Sequence, residues 1–418
     1  MIVAGAALLV LGGLAGGYVL YRKHQSRDVH GSSTVEFITT EKPKPEPPPP
    51  PQILWPMYGY DPARLRAPEG FKLRPPFRPV WRFPGRALLE FPPVLGYGHL
   101  YFTNNSGTLY ALTTRHGRIG WRFHSRRCAA ASQALYRGLV IAVFLNKPPC
   151  NSTRSDIDGL IAAFDVRTGK IRWRHVIGPS ETSPVISDGV VYVGDWRNNV
   201  YAFTATTGRL HWKYSTGDKI KGGPAISGNR LYVGSYDGYL YALDKRTGRL
   251  IWRSASQQRL GGKGTFYSGP AVAYGRVYIG STDGKVYSYG ARSGKLRWSH
   301  GTGSYVYASP AVWRGLILIG SYDGTFYAFD AATGDVRWKF HARRGISGSA
   351  VVINGVVYFS SLRGRTYALN PANGRVVWTF ADGQYAAAIA GRQRLYLVGY
   401  SRLYALIPQS YGAGPPNR

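Results

Sequence analysis

Eight tryptophans divide most of this chain into near-equal lengths. Trp81, Trp121, Trp173, Trp212, Trp252, Trp298, Trp338 and Trp378 are separated by 40, 52, 39, 40, 46, 40 and 40 residues. Most of them close one recurring phrase, as in LYALDKRTGRLIW (Leu240 to Trp252) and FYAFDAATGDVRW (Phe326 to Trp338). A repeat of about 40 residues made only of short strands and glycine turns corresponds to one propeller blade. No segment after Trp81 has the apolar spacing of a helix, so the body is expected to be all-β.

One repeat shows how the blade is written. Pro224 to Ser227, Arg230 to Gly234, Tyr239 to Leu243 and Leu250 to Arg253 are four short β-forming runs separated by turn residues. Asp237-Gly238, Asp283-Gly284 and Asp323-Gly324 suit tight hairpins, whose type I′ turn needs positive φ at both central residues. Thr168-Gly169, Thr247-Gly248 and Thr333-Gly334 mark the turn to the outer strand. The inner three strands occur in eight copies, the last from Leu395 to Leu406 with no Trp strand after it, whereas Trp81 has no blade before it. Val80 to Phe83 is therefore expected to supply the outer strand of the final blade. The ring is then sealed, with no exposed edge. The reading is an eight-bladed β-propeller over residues 80–407.

The phrase A-x-D-x-x-T-G-x-x-x-W, best matched by Ala242 to Trp252 and Ala328 to Trp338, resembles the tryptophan-docking motif of the quinoprotein (PQQ) repeat. The resemblance covers about residues 80–407. That family includes eight-bladed quinoprotein alcohol dehydrogenases and the non-enzymatic propeller lipoprotein of outer-membrane assembly. The chain is more similar to the lipoprotein. Docking tryptophans belong to the scaffold, so the resemblance speaks for fold and not for activity.

Ahead of the ring, Ile2 to Leu20 is an uncharged apolar run long enough to cross a bilayer. Residues 1–21 are read as an uncleaved membrane anchor, because no small-residue cleavage site precedes Arg22-Lys23-His24. Residues 22–53, with the run EKPKPEPPPPPQ, are read as an extended spacer able to hold the ring up to roughly 100 Å from the membrane. Residues 54–79 are expected to pack on the propeller, and residues 408–418 to form a disordered tail. The basic flank after the anchor favours a cytoplasmic ring, unless the true start lies upstream of Met1. Cys128 and Cys150 favour the opposite side, since both fall in loops of one face of the second blade and can form a disulfide. The expectation is an extracytoplasmic ring, with two unpaired thiols as the alternative.

Fifty-three Lys and Arg against twenty-one Asp and Glu give a net charge of +32, a field that attracts polyanions. Envelope proteins or anionic polymers are the expected partners, with nucleic acid disfavoured; the sequence is silent on oligomeric state. Arg209, Arg249 and Lys170 sit in Thr-Gly turns and read as solvated residues of the opposite face. Aligning the inner strands on Pro184 places Glu90, Ala130, Glu181, Lys221, Tyr267, Tyr307, Ser347 and Tyr385 around the channel rim. They form either a polar pocket or the lip of a water-filled funnel. Both departures from the 40-residue period, Asn146 to Asp158 and Ser254 to Thr265, belong to this same face. So do Trp196 and Arg197, read as an exposed aromatic-cation pair, and Arg259 and Lys263.

The quinoprotein dehydrogenases, as the resemblance implies, need quinone, Ca²⁺ held by carboxylate and amide oxygens, an Asp base and commonly a vicinal disulfide. Cys128 and Cys150 are not adjacent, and the rim offers only Glu90 and Glu181, whereas Ca²⁺ takes six to eight oxygens. The nine His lack metal-ligand spacing, and no Ser-His-Asp or phosphate-loop motif occurs. No catalytic residue, metal site or cofactor is expected. The favoured function is a membrane-tethered, extracytoplasmic binding or scaffold module. The alternative is a minimal PQQ-dependent dehydrogenase holding quinone and Ca²⁺ near Glu181, Lys221 and Tyr267.

Overall fold

A computed structural model describes residues 15–21, 26–39, 52–150, 157–259, 262–362, 364–386 and 388–409. The described residues form eight antiparallel blades around one axis. The first is Val94–Gly96, His99–Thr103, Thr108–Thr113 and Ile119–His124, and the fourth Ala225–Ser227, Arg230–Gly234, Tyr239–Asp244 and Leu250–Ala255. The eighth has three strands of its own, Ala388–Ala390, Leu395–Val398 and Arg402–Pro408, and its outer strand is Phe77–Pro84. Trp81 pairs with Ala405 and Phe83 with Leu403, so the ring closes by the expected strand, extended by a few residues at its start.

The tryptophan period has a direct physical cause. Each of the first seven indoles donates its Nε1–H to a backbone carbonyl of the next blade, as in Trp121 to Val166 at 2.9 Å and Trp212 to Lys245 at 3.0 Å. The glycine of the following turn, Thr-Gly in four of the seven, lies against the ring. Gly248 has φ of +73°, and a Cβ there would meet Trp212 at 2.7 Å. Glycine is required on both counts, left-handed backbone and close approach. Gly248→Ala is expected to cost about 2 kcal/mol and lower the melting temperature by several degrees. A circular-dichroism melt unchanged within error would show that the indole does not dock the blades.

Residues 53–66 of the segment expected to pack on the propeller lie inside the ring. Ile53–Trp55 adds a fifth strand to the first blade. The chain then winds around the channel wall, where its carbonyls accept inner-strand N–H groups blade after blade. Pro56 O takes Leu135 N at 2.7 Å, Pro62 O takes Ile226 N at 2.7 Å, Leu65 O takes Val312 N at 2.9 Å and Arg66 O takes Val352 N at 2.8 Å. Inner strands expose a row of unpaired backbone donors to the channel, and this segment satisfies them. The channel is consequently a cup with a floor of its own chain, where a funnel would be open at both ends.

The polar region also departs from a free spacer. Residues 26–39 run down the outside of the fifth blade (Ala271–Ala273, Arg276–Gly280, Lys285–Gly290, Leu296–Gly301). Val29 bridges Ser299 of the outer strand, and Ile38 N donates to Tyr274 O at 3.1 Å at the far end. Arg276, fully buried, gives Nε to Glu36 O at 2.6 Å and Nη2 to Ser32 O at 3.1 Å. Lys285, 3% exposed, is held by Ser26 O at 2.6 Å and the Asp28 carboxylate at 3.0 Å. Charged side chains that pair with the ring make this stretch a strap, so residues 22–53 do not act as one extended spacer between membrane and ring. Most of the Pro-rich run, the tail from residue 410 and most of the expected anchor lie outside the described residues. Residues 15–21 are helical, and among the described residues no helix is long and apolar enough to cross a membrane.

Candidate functional site

Loops entering the inner strands, together with the hairpins between second and third strands, converge at one end of the channel. Seven of the eight rim positions line one cavity there: Glu90, Glu181, Lys221, Tyr267, Tyr307, Ser347 and Tyr385. Ala130 does not. It is buried with Cys128 and Leu145, in a cluster that Cys150 of the second-blade insertion packs against. The floor is made by residues the period could not predict, with Tyr58 donating to Ser349 Oγ at 2.7 Å and packing edge-on against Phe91. Beneath Tyr58, the Arg66 guanidinium stacks 4.7 Å from its ring.

The rim charges are largely spent on one another. Lys221 Nζ lies 3.0 Å from Glu181 Oε1, which also accepts Trp196 Nε1–H at 3.1 Å. The same ammonium sits over the rings of Trp196, Tyr236 and Tyr267 at 4.6, 5.5 and 5.4 Å. Glu181's charge, followed by burial, raises the Tyr267 hydroxyl well above the usual phenol range. Glu90 accepts a single 3.3 Å hydrogen bond from Asn105 Nδ2. Burial, and next the charge of Glu181, pushes the Glu90 carboxyl up to about 7.

Around the mouth, Cys128 and Cys150 are joined in a disulfide that ties the insertion to the loop entering the second blade. Arg127 braces the other end of the insertion, with Nη1 and Nη2 at 2.9 and 3.0 Å from the Asp158 carboxylate. Trp196 is half-buried, not exposed: its ring packs beside Cys150 and Phe91 and its N–H is used by Glu181. Arg197 is exposed. Lys263 reaches the neighbouring blade, where it meets Tyr239 Oη at 3.0 Å. Arg259 is in the short ribbon Gln258–Arg259 with Gly262–Lys263, and its side chain lies outside the described residues.

Charge on this face is sorted by sign. Its hairpin aspartates turn inward: Asp195 accepts Tyr201 Oη at 3.0 Å and Gly178 N at 2.8 Å, and Asp323 accepts Tyr327 Oη at 2.7 Å and Gly303 N at 2.7 Å. Arg126, Lys147, Arg197, Lys263, Arg343 and Arg344 are exposed. These six loop cations face solvent, whereas Arg127 and Lys221 are turned inward to carboxylates, and the hairpin acids hold the loops.

The channel does not fit a quinone with Ca²⁺ as it stands. Glu181 is engaged by Lys221 and Trp196, and Glu90 is pushed toward its neutral form. Among the described residues no three His, Cys, Asp or Glu converge on one point. The space left above Tyr58 is about 60 Å³, room for a few waters.

Comparison with known proteins agrees with the fold. The family model described as outer membrane protein assembly factor BamB matches residues 157–380. Tetrathionate hydrolase of Acidithiobacillus ferrooxidans is 27% identical over 159 residues, 34% of this chain and 32% of that protein. Quinohemoprotein alcohol dehydrogenase ADH-IIG of Pseudomonas putida is 32% identical over 146 residues, 31% of this chain and 20% of that protein. The chain therefore spans a third or less of the curated relatives it matches. The crystal structure of BamB from Moraxella catarrhalis superposes with a TM-score of 0.64 at 16% identity, over 79% of this chain and all of that one.

Proposed function

The chain belongs to the outer membrane protein assembly factor BamB family, and on that premise we propose that its propeller is a non-catalytic binding or scaffold module of the cell envelope. It is tethered to a membrane through residues 1–21, stands outside the cytoplasm, and receives envelope proteins or anionic polymers on the face that carries the insertions. The observation that carries this reading is the sorting of charge there, with hairpin acids consumed internally and six loop cations turned outward. Long loops on a rigid scaffold are where binding surfaces are built. The Cys128–Cys150 disulfide supports an oxidising compartment.

In-cell crosslinking of the full chain, with charge reversal at Arg197, Arg259 and Lys263, is expected to remove specific crosslinked partners while the melting temperature holds. An unchanged set of partners would remove this face as the interface. The sequence relation to a quinohemoprotein alcohol dehydrogenase favours a second reading, a minimal PQQ-dependent dehydrogenase. Incubation with PQQ and Ca²⁺ followed by alcohol-dependent dye reduction separates the two. Stoichiometric quinone binding with turnover would replace the scaffold reading.

A further inference from the structure

The strap fixes which way the ring faces. Its first docked residues sit at the insertion-bearing end of the fifth blade, where Ser26 O meets Lys285 Nζ at 2.6 Å and Asp28 accepts Gly301 N at 3.0 Å. It then descends to the opposite end, where Ile38 meets Tyr274. Only residues 22–25 separate the helix at 15–21 from Ser26. Fully extended, the chain from Tyr21 to Ser26 spans at most about 18 Å. Helix residues Val19 and Leu20 are 46% and 68% exposed, so their apolar surface is largely open.

We propose that the insertion-bearing face lies against the membrane entered by residues 2–20, and that its outward Lys, Arg and Tyr side chains take anionic lipid headgroups. This rests on the proposed function, in its reading of residues 1–21 as an anchor and of this face as the binding face, and it makes the anionic partner of that face the membrane surface itself. Tyr305 and Tyr400, 51% and 52% exposed, stand on loops of this face among Lys147, Arg343 and Arg344. Tyrosine and basic residues together are the side chains that settle at a bilayer surface. The opposite face also carries arginines, in its Thr-Gly turns, so charge does not choose between the faces. The strap does, because it brings the chain out beside Lys285 and Gly301.

The test reconstitutes the full chain into phosphatidylcholine vesicles with or without phosphatidylglycerol, the bilayer carrying a headgroup energy-transfer acceptor. A donor dye is placed at Tyr305→Cys or, on the opposite face, at Asn354→Cys, under non-reducing conditions. Blades are about 20 Å deep, so transfer from position 305 is expected to exceed that from position 354 roughly threefold or more. Phosphatidylglycerol should raise transfer from position 305. Lys147→Glu combined with Arg344→Glu should lower it at least about twofold in those vesicles, with added salt acting the same way. Equal transfer from both positions overturns the orientation. High transfer from position 305 that ignores both phosphatidylglycerol and the charge reversals overturns the headgroup contact. Loss of the chain from vesicles in an alkaline carbonate wash would instead mean that residues 1–21 are no anchor.

Discussion

Replacing Arg64 by alanine is expected to lower the melting temperature by roughly 10 °C, from a loss of about 3–5 kcal/mol. Arg64 is 1% exposed, in the segment that floors the channel. Its Nε donates to Pro224 O at 3.0 Å and its Nη2 to Ser183 O at 2.7 Å and Pro184 O at 3.2 Å, while Nη1 reaches Tyr58 O. One side chain thus joins the third and fourth blades to the winding segment. Removing it leaves several carbonyls without a donor in a space that water barely enters, which is the costly kind of loss. Arg64→Lys should recover only part of the difference, since a compact ammonium cannot span the planar fork that a guanidinium fills. Differential scanning calorimetry checks this. A shift under about 2 °C would mean the floor is dispensable to the ring.

The propeller was legible because its signal is repeated. A Trp that must meet the next blade and a glycine that must lie under it recur wherever that contact recurs, so the blade count and the closing strand follow from spacing. The rim was legible for the same reason. Seven aligned positions converge because eight inner strands point the same way; Ala130 fails where the insertion and its disulfide interrupt the repeat. Single-copy elements have no such amplifier. Tyr58, Arg64 and Arg66 occur in a stretch without period, and nothing local distinguishes a guanidinium that stacks in a channel from one in water. The strap was hidden similarly. Lys285 starts a third strand, and the same slot holds Arg365 and Arg402, both exposed. The partner segment at Ser26 and Asp28, together with Gln257, makes Lys285 a buried contact. Trp196 misled in the other direction, its hairpin position suggesting exposure while Glu181 draws the indole into the mouth.

The channel mouth should make the protein less stable as pH rises, and Glu90→Gln should remove most of that loss. The carboxyl moves from its ordinary 4.5 to about 7 in the folded chain. Between those values the folded state keeps a proton that the unfolded state has released, so stability falls with increasing pH. Below about pH 4.5 both states hold the proton and the contribution is complete; above about 7 it is gone, a change of about 3 kcal/mol at 1.36 kcal/mol per pH unit. Glutamine copies the shape of the neutral acid and cannot ionise beside Glu181. The variant is therefore expected to melt near the wild type at pH 5 and several degrees above it at pH 8. Asp61, raised to about 6 mainly by burial despite Arg66 and Arg64 nearby, adds a slope of the same sign between about 4 and 6 that the variant retains. Melting curves of both proteins across this range decide the point. If the two curves stay parallel from pH 5 to pH 8, Glu90 is ionised throughout, and the mouth is wetter than its lining of tyrosines and Lys221 implies.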